Sequence, residues 1–143
     1  MRVHLADWAA AQPRVMPLRI AVFVDEQGVP ADMERDADDP LSRHAWIDAA
    51  DGTVVATGRL LPDGHIGRLA VRADQRGHGL GSRVLRALMD TARDRGQGEV
   101  VLHAQLQALP FYTRHGFVPV GEPFMEAGIA HLCMRCPLAS TGS

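Results

Sequence analysis

The sequence predicts a mixed α/β fold in which an antiparallel meander leads into a central parallel pair of strands flanked by helices. Three strand-like runs follow one another between residues 44 and 71 with short turns between them, which is typical of an antiparallel meander. The apolar period then lengthens, and a helix lies between two further strand-like runs. Because a helix that connects two strands implies a crossover, these two strands are predicted to be parallel.

Length and composition favour one globular domain. The chain has 143 residues, of which 46% are hydrophobic and 22% charged, and single domains most often contain about 100–150 residues. This composition excludes an intrinsically disordered chain, a collagen-like repeat and a disulfide scaffold. We therefore expect one domain over residues 1–138 and a frayed tail over residues 139–143.

The N-terminal elements follow from the spacing of apolar residues. Residues 2–6 alternate polar and apolar side chains and are predicted to form a strand. Apolar side chains recur every three or four positions in residues 13–24, which predicts a helix that begins after a proline and ends near Gly28. Residues 32–40 are predicted to form an acidic loop with one helical turn.

The meander consists of residues 44–48, residues 53–60 and His65–Val71. An Asp51-Gly52 pair between the first two runs is a strong hairpin signal. A long amphipathic helix is predicted next, because apolar residues lie four apart from Leu80 to Ala92. The remaining predicted elements are strands at residues 100–104, 117–120 and 131–134 and a short helix at residues 107–115.

Charge and cysteine content exclude several kinds of partner. The formal net charge is −2, whereas a general nucleic-acid-binding protein normally has a clear basic excess. Apolar stretches such as residues 20–24 are far shorter than the roughly 20 residues that cross a bilayer. The first residues show no charged-then-apolar pattern, so we expect no export signal. Cys133 and Cys136 are too few for a secreted disulfide framework, and we assign this pair no function. We expect a cytoplasmic protein without nucleic-acid or membrane partners.

The charges are unevenly distributed along the chain. Residues 25–39 contain seven acidic side chains and one arginine, whereas residues 68–95 contain seven arginines and three acidic side chains. An acidic loop that faces a basic segment is suited to a cationic substrate and an anionic cofactor. A solvated surface would account for the same pattern, and the sequence does not decide between the two interpretations.

A glycine-rich turn precedes the long helix. Residues 75–82 contain Gly77, Gly79 and Gly81 at the point where a strand gives way to a helix. Unobstructed N–H groups and the helix dipole at such a turn favour a phosphate group. A P-loop is excluded because the chain has no lysine, and Ser82 replaces the third glycine of a dinucleotide fingerprint. On its own the turn is also compatible with a purely structural role.

Two motifs in order resemble those of the GNAT (GCN5-related N-acetyltransferase) superfamily. The first is residues 69–71 followed by Arg76-Gly-His-Gly-Leu-Gly81, and the second is Phe111-Tyr-Thr-Arg-His-Gly-Phe117. Residues 22–27, 103–105 and 122–131 further resemble the ElaA/YjcF-like branch. Together these segments cover most of the chain from residue 19 to residue 134.

The resemblance implies a fold and a co-substrate. In the family, the strand before the glycine turn and the strand before the second motif splay apart, and the pantetheine arm of acetyl-CoA lies between them. The main chain of the first strand would pair with that arm, and the amides of the glycine turn would hold the diphosphate. The implied cofactor-binding residues are Leu69, Ala70, Val71, Arg76, Gly77, His78, Gly79, Leu80, Gly81, Ser82 and Gln105, where Gln105 replaces the asparagine that many members carry.

The resemblance also implies catalytic and acceptor-binding residues. Tyr112 occupies the position of the family's general acid, which would protonate the leaving thiolate, and the Val71 amide is a candidate donor to the oxyanion. The candidate general bases are Glu26, His65, His103, Glu126 and His131. Glu26, acting through a water, is favoured among them. The predicted acceptor-binding residues are Arg19, Gln27, His103, Glu126 and His131, although Arg19 and Glu126 would also fit a simple ion pair.

The leading hypothesis is therefore an enzyme that transfers an acetyl group from acetyl-CoA to a primary amine of a small molecule, without a metal. A protein N-acetyltransferase is the first alternative, and a non-catalytic acyl-CoA sensor is the second. A homodimer remains open.

Overall fold

The computed structural model describes residues 2–139, whose strands form one sheet. The strands are β1 (Val3–Ala6), β2 (Arg43–Asp48), β3 (Val54–Leu60), β4 (His65–Val71), β5 (Glu99–Gln105), β6 (Val118–Glu126) and β7 (Ile129–Pro137). Their order across the sheet is β1-β2-β3-β4-β5-β7-β6. All neighbours are antiparallel except β4 and β5, which are parallel. The predicted mixed sheet, with antiparallel N-terminal strands and a central parallel pair, is confirmed.

Four α-helices and several short helical segments connect the strands of the described chain. The α-helices are α1 (Trp8–Arg19), α2 (Ala31–Glu34), α3 (Leu80–Asp94) and α4 (Leu109–Arg114). A π-helical segment, Ile20–Glu26, continues α1, and the 3₁₀ segments are Asp39–Leu41, Ala73–Gln75 and Leu106–Ala108. Within residues 2–139 no helix is both long and apolar enough to span a membrane. Apart from Ala139, the predicted tail lies outside the described residues.

The first helix begins earlier than predicted, and its last turns, which end near Gly28 as predicted, are π-helical. It starts at Trp8 and not at Pro13, because the Asp7 carboxylate caps the helix by accepting a hydrogen bond from the Ala10 N–H at 3.2 Å. Beyond Arg19 the hydrogen bonds lengthen to five residues, and the Gln27 N–H donates to the Val22 carbonyl at 3.0 Å. This π-helical register is frequent at functional sites.

The last two strands are longer than predicted. Strands β6 and β7 form a hairpin whose tip, Ala127 and Gly128, has positive φ values of 51° and 76°. Pro123 lies where the β6 register shifts between Val120 and Phe124, at the edge of the sheet. Proline is tolerated at edge strands and bulges, so the prolines of β6 did not prevent a strand that the sequence pattern had ended at Val120.

Helices α1 and α3 cover opposite faces of the sheet. The apolar face of α3 packs on Ala45 and Ile47 of β2, whereas Ala11, Val15 and Leu18 of α1 pack against Trp46 of the same strand. Successive strand side chains point to opposite faces, so the sheet is buried on both sides. Burial of this kind holds the strand ends in fixed positions.

The parallel strands β4 and β5 pair at the start of β4 and separate beyond it. The β4–β5 ladder consists of His65 opposite Val101 and Ile66 opposite Leu102. Past Ile66 the register of β4 against β3 shifts, and Arg68 adopts a positive φ of 50°. Because the bulge turns β4 away from β5, the two strands separate and leave main-chain groups of residues 67–71 facing a cleft.

Candidate active site

A cleft of about 1160 Å³ lies where β4 and β5 separate. It is bounded by the π-helical segment, the glycine turn, α4 and the ends of β5, β6 and β7. All predicted site residues line it except His78 and Arg19. One cavity therefore brings together a helix N-terminus, an exposed strand edge, a tyrosine and a polar cluster that the sequence places far apart.

The glycine turn presents free main-chain donors to this cleft. Gly79 caps α3 in the left-handed conformation, with φ 77°, and the Arg83 N–H is the first to bond back, to the Gly79 carbonyl. A side chain added at Gly77 or Gly79 would meet no protein atom within 4 Å. The N–H groups at the start of α3 thus face open space at the positive end of the helix dipole, which suits a phosphate or diphosphate.

Arg76 links the turn to the opposite wall of the cleft. Its guanidinium donates to both carboxylate oxygens of Glu26, at 2.7 and 2.8 Å, and its Nε donates to the Val71 carbonyl at 3.0 Å. The hydrogen bond from Arg76 lowers the pKa of Glu26 below its ordinary value, and together with the charge of Arg76 it outweighs the opposing effect of burial. A carboxylate that holds protons weakly and is engaged at both oxygens is a poor general base. The geometry therefore argues against the role predicted for Glu26.

Tyr112 lies on α4, which packs against β5, and its side chain lines the cleft. Its ring packs edge to face against Phe111 and Phe117, with centroids 5.1 and 5.8 Å apart. Burial raises the pKa of Tyr112 to about 12, so the phenol is protonated throughout the physiological range. Such a group is a hydrogen-bond donor and a proton source, but not a base.

The polar cluster predicted for the acceptor is assembled from both ends of the chain. The Gln105 side-chain amide donates to the Gln27 side-chain oxygen at 2.8 Å. Nδ1 of His103 lies 3.1 Å from Oε1 of Glu126, and Nε2 of His131 lies 3.8 Å from Oε2 of the same carboxylate. The structure therefore places four of the five predicted acceptor residues in the cleft, together with Gln105, which was predicted to bind the cofactor.

Arg19 does not belong to that cluster. Its side chain is 1% exposed, donates to Oε1 of Glu34 at 2.5 Å and forms a fork with both oxygens of Asp39 at 2.8 and 3.1 Å. The predicted contact with an acceptor is contradicted by this burial, and its partners are Glu34 and Asp39 in place of Glu126. Arg19 fixes the loop that follows the π-helical segment. This loop forms one wall of the cleft.

The acidic loop is largely neutralised from within. Arg59 donates to Asp36 and Asp39, and Arg68 donates to Asp36 at 3.1 Å and to the Glu34 carbonyl at 3.0 Å. Neither interpretation of residues 25–39 fits fully, because Glu34, Asp36 and Asp39 bind arginines of the protein itself, whereas Asp25 and Asp32 are exposed. Arg19 on α1 and Arg59 on β3 supply the buried positive charge of this network.

Arg68 lines the cleft but was not predicted, because a positive φ at an arginine has no sequence signature. His65, one of the candidate bases, lines the same cleft. The Ser82 hydroxyl lies 2.8 Å from Nε2 of His115, which fixes its orientation at the turn. The described residues contain no cluster of three or more His, Cys, Asp or Glu side chains arranged to hold a metal ion.

Comparison with known proteins decides the family. Residues 11–138 match the family model of the acetyltransferase (GNAT) domain. The chain belongs to the GNAT family. This GNAT domain is 38% identical over 120 residues to a Bacillus subtilis (strain 168) protein named as the uncharacterized N-acetyltransferase YjcF, a match that covers 82% of this chain and 86% of YjcF.

Solved structures of GNAT proteins share the fold closely. ElaA of Escherichia coli has a TM-score of 0.85 and 29% identity, covering 95% of this chain and 99% of ElaA. An acyl-CoA N-acyltransferase from Pseudomonas aeruginosa has a TM-score of 0.82 and 32% identity, and the match covers 95% of this chain and 99% of the Pseudomonas chain. This GNAT domain is an acetyl-CoA-dependent N-acetyltransferase of the ElaA/YjcF-like branch, as the sequence motifs predicted.

Proposed function

We propose that this enzyme transfers the acetyl group of acetyl-CoA to a primary amine of a small molecule, by direct attack within a ternary complex, with Tyr112 as the general acid. The observation that carries the proposal is that one cleft is lined by the glycine turn, the exposed edge of β4, Tyr112 and the group of Glu126, His103 and His131. We call this group the Glu126 cluster. Each part of the reaction then has a group of matching chemistry beside it.

The residues of the cleft fit acetyl-CoA. The amides at the start of α3 and the open space at Gly77 and Gly79 suit the diphosphate. The main chain of Leu69, Ala70 and Val71 would pair with the amide-rich arm as an added strand, because β4 has left β5 at this point. Acetyl-CoA supplies an acetyl thioester, and the chain's part is to hold and orient it.

Two groups of the chain are proposed to stabilise or neutralise the negative charges that develop during the transfer. The Val71 amide is the donor proposed for the developing oxyanion. Tyr112 would give its proton to the leaving sulfur, and it remains protonated at neutral pH because burial raises its pKa to about 12. An ordinary thiol has a pKa near ~8.5. Proton transfer from Tyr112 to the thiolate is favourable only where the thiolate is also buried away from water, because burial raises the pKa of the thiol.

The small-molecule acceptor is proposed on the burial of His131, whose side chain is only 8% exposed. The neighbouring His103 and Glu126 are 40% and 49% exposed, which leaves that side of the cluster open to solvent. Free thiol release, followed with amino sugars, polyamines and aminoacyl compounds and separately with peptides, tests the proposal. Release with peptides alone would favour a protein acetyltransferase, and tight acetyl-CoA binding without any release would favour a sensor.

Replacing Gly79 with valine tests the site of the diphosphate. We expect Gly79→Val to weaken acetyl-CoA binding at least ~10-fold in calorimetry, because a side chain would fill the space in front of the α3 amides. Gly96→Val is the matched control, since Gly96 also has a positive φ (81°) and open surroundings. Both variants carry similar backbone strain, so equal affinities in the two folded variants would contradict the assignment.

Replacing Glu26 with glutamine tests whether this carboxylate is the base. Removal of a general base lowers turnover by roughly 10²–10⁴. We expect Glu26→Gln to keep turnover within about threefold of the original, because Glu26 is bound to Arg76 and its pKa is lowered. Asp25→Asn, at the exposed neighbouring position, is the control for charge. A loss of two orders of magnitude in the Glu26 variant alone would restore its catalytic role.

A further inference from the structure

His131 is a buried imidazole whose two ring nitrogens have different surroundings. Nδ1 lies 2.7 Å from the main-chain carbonyl oxygen of Ile129. A carbonyl oxygen can only accept a hydrogen bond, so Nδ1 carries the hydrogen. In the neutral ring this leaves Nε2 with a free lone pair. Nothing in the described part of the chain forms a hydrogen bond with Nε2.

His131 lies on β7, and the groups around its Nε2 come from the two neighbouring strands, β5 and β6. Glu126 on β6 places Oε2 at 3.8 Å and shares its other oxygen with His103 on β5. Gln105 on β5 is the ladder partner of His131. The Phe124 ring stacks on the imidazole with a centroid distance of 6.0 Å. A free lone pair and a carboxylate therefore border the same part of the cleft.

We propose that His131 is the catalytic base of the transfer, taking a proton from the acceptor's ammonium group onto Nε2, while Glu126 attracts the ammonium and then stabilises the imidazolium. This inference rests on the proposed function and adds to it the residue that creates the nucleophile. The Ile129 carbonyl orients the ring, as second partners of catalytic histidines commonly do.

The proton and bond changes balance. One N–H bond of the ammonium breaks and an Nε2–H bond forms. The freed lone pair forms a bond to the acetyl carbon, the carbon–sulfur bond breaks, and the sulfur takes the Tyr112 proton. The nitrogen loses its second proton to solvent, from which Tyr112 is reprotonated, and His131 releases its proton there. An ammonium and a thioester thus yield an amide, a thiol and one proton.

Imidazole nitrogen NMR on the full chain tests the geometry without any acceptor. The His131 signals are assigned by their loss in His131→Asn, whose amide can still donate to the Ile129 carbonyl. We expect the neutral ring to carry its hydrogen on Nδ1 and none on Nε2, because Nδ1 faces the Ile129 carbonyl. A neutral ring with its hydrogen on Nε2 would overturn the proposal.

Two probe amines test the chemistry. At pH 7.5, propylamine is almost wholly protonated, whereas trifluoroethylamine is almost wholly free. We expect His131→Asn to lower kcat/KM for propylamine by ~10²–10³-fold and for trifluoroethylamine by less than ~10-fold. The propylamine deficit should shrink as the pH rises, while the acetyl-CoA Kd stays unchanged. His4→Asn, on β1 beside Asp48, is the control and should leave both rates unchanged.

An equal loss with both amines, or no loss with either, would overturn the proposal for His131. A different failure identifies the proposed function as the error: the unaltered enzyme would bind no acetyl-CoA or would release no thiol with any primary amine.

Discussion

Replacing Tyr112 with phenylalanine is expected to lower turnover by ~10²–10⁴ with little change in acetyl-CoA affinity. The substitution removes the hydroxyl but keeps the ring that packs against Phe111 and Phe117. The leaving sulfur then departs as a poorly hydrated thiolate with no proton donor nearby. Because the loss falls on a step after binding, kcat should fall while the Kd for acetyl-CoA measured by calorimetry stays within about threefold.

The pH dependence of the unaltered enzyme gives an independent test of the same residue. Since burial raises the pKa of Tyr112 to about 12, the phenol stays protonated below that pH. Loss of the Tyr112 proton should therefore cause no decline in kcat up to about pH 10. Turnover of Tyr112→Phe at the original level would remove this side chain from the mechanism, whatever the pH profile.

Replacing Arg19 with methionine is expected to destabilise the fold by about 3–5 kcal/mol. The guanidinium is 1% exposed and lies between Glu34 and Asp39, which are 1% and 0% exposed. Methionine fills much of the volume but leaves two buried carboxylates with too little positive charge, and the cost is that of an uncompensated buried ion. Urea unfolding measures the change. Arg14→Met is the control, because Arg14 and its partner Asp48 are 42% and 26% exposed and such pairs contribute at most ~1 kcal/mol.

The same network makes stability depend on pH. Burial alone would raise the pKa of Asp39, but the hydrogen bonds and charges of Arg19 and Arg59 outweigh it and lower that pKa, and Asp36 behaves likewise. A carboxyl whose pKa is lowered in the folded state stabilises the fold at pH values above its pKa in the unfolded chain, which is ~3.9. This stabilisation is lost as the pH falls through the pKa of the folded state. Arg19→Met should therefore unfold with a weaker dependence on pH in the acid range. A Tm within 2–3 °C of the Arg14→Met value at neutral pH would contradict the account.

Local signals were enough to predict most of the fold. The alternation in β2 to β4, the Asp51-Gly52 turn and the four-residue period of α3 each depend on neighbours in the chain. The glycine turn was also predictable, since positive φ at Gly77 and Gly79 is a property of that residue type. The cleft residues on β4, α4 and β5 followed from motifs on those elements.

Contacts between distant segments were not predictable in the same way. The partners of Arg19 lie 15 and 20 residues away, and an arginine on a helix face resembles a ligand-binding residue until its burial is known. The bulge at Arg68 and the pairing of Glu26 with Arg76, 50 residues apart, likewise depend on tertiary packing. For this reason the motifs indicated which elements line the cleft, whereas the partners of Arg19 and Glu26 emerged only from the fold.

A crystal structure of the full chain with bound CoA tests the central claim most directly. The account predicts the diphosphate on the amides of Gly79, Leu80 and Gly81, the pantetheine arm along Leu69 to Val71, and the sulfur within hydrogen-bonding distance of the Tyr112 hydroxyl. CoA bound elsewhere, or with its sulfur far from Tyr112 and from the Glu126 cluster, would contradict it.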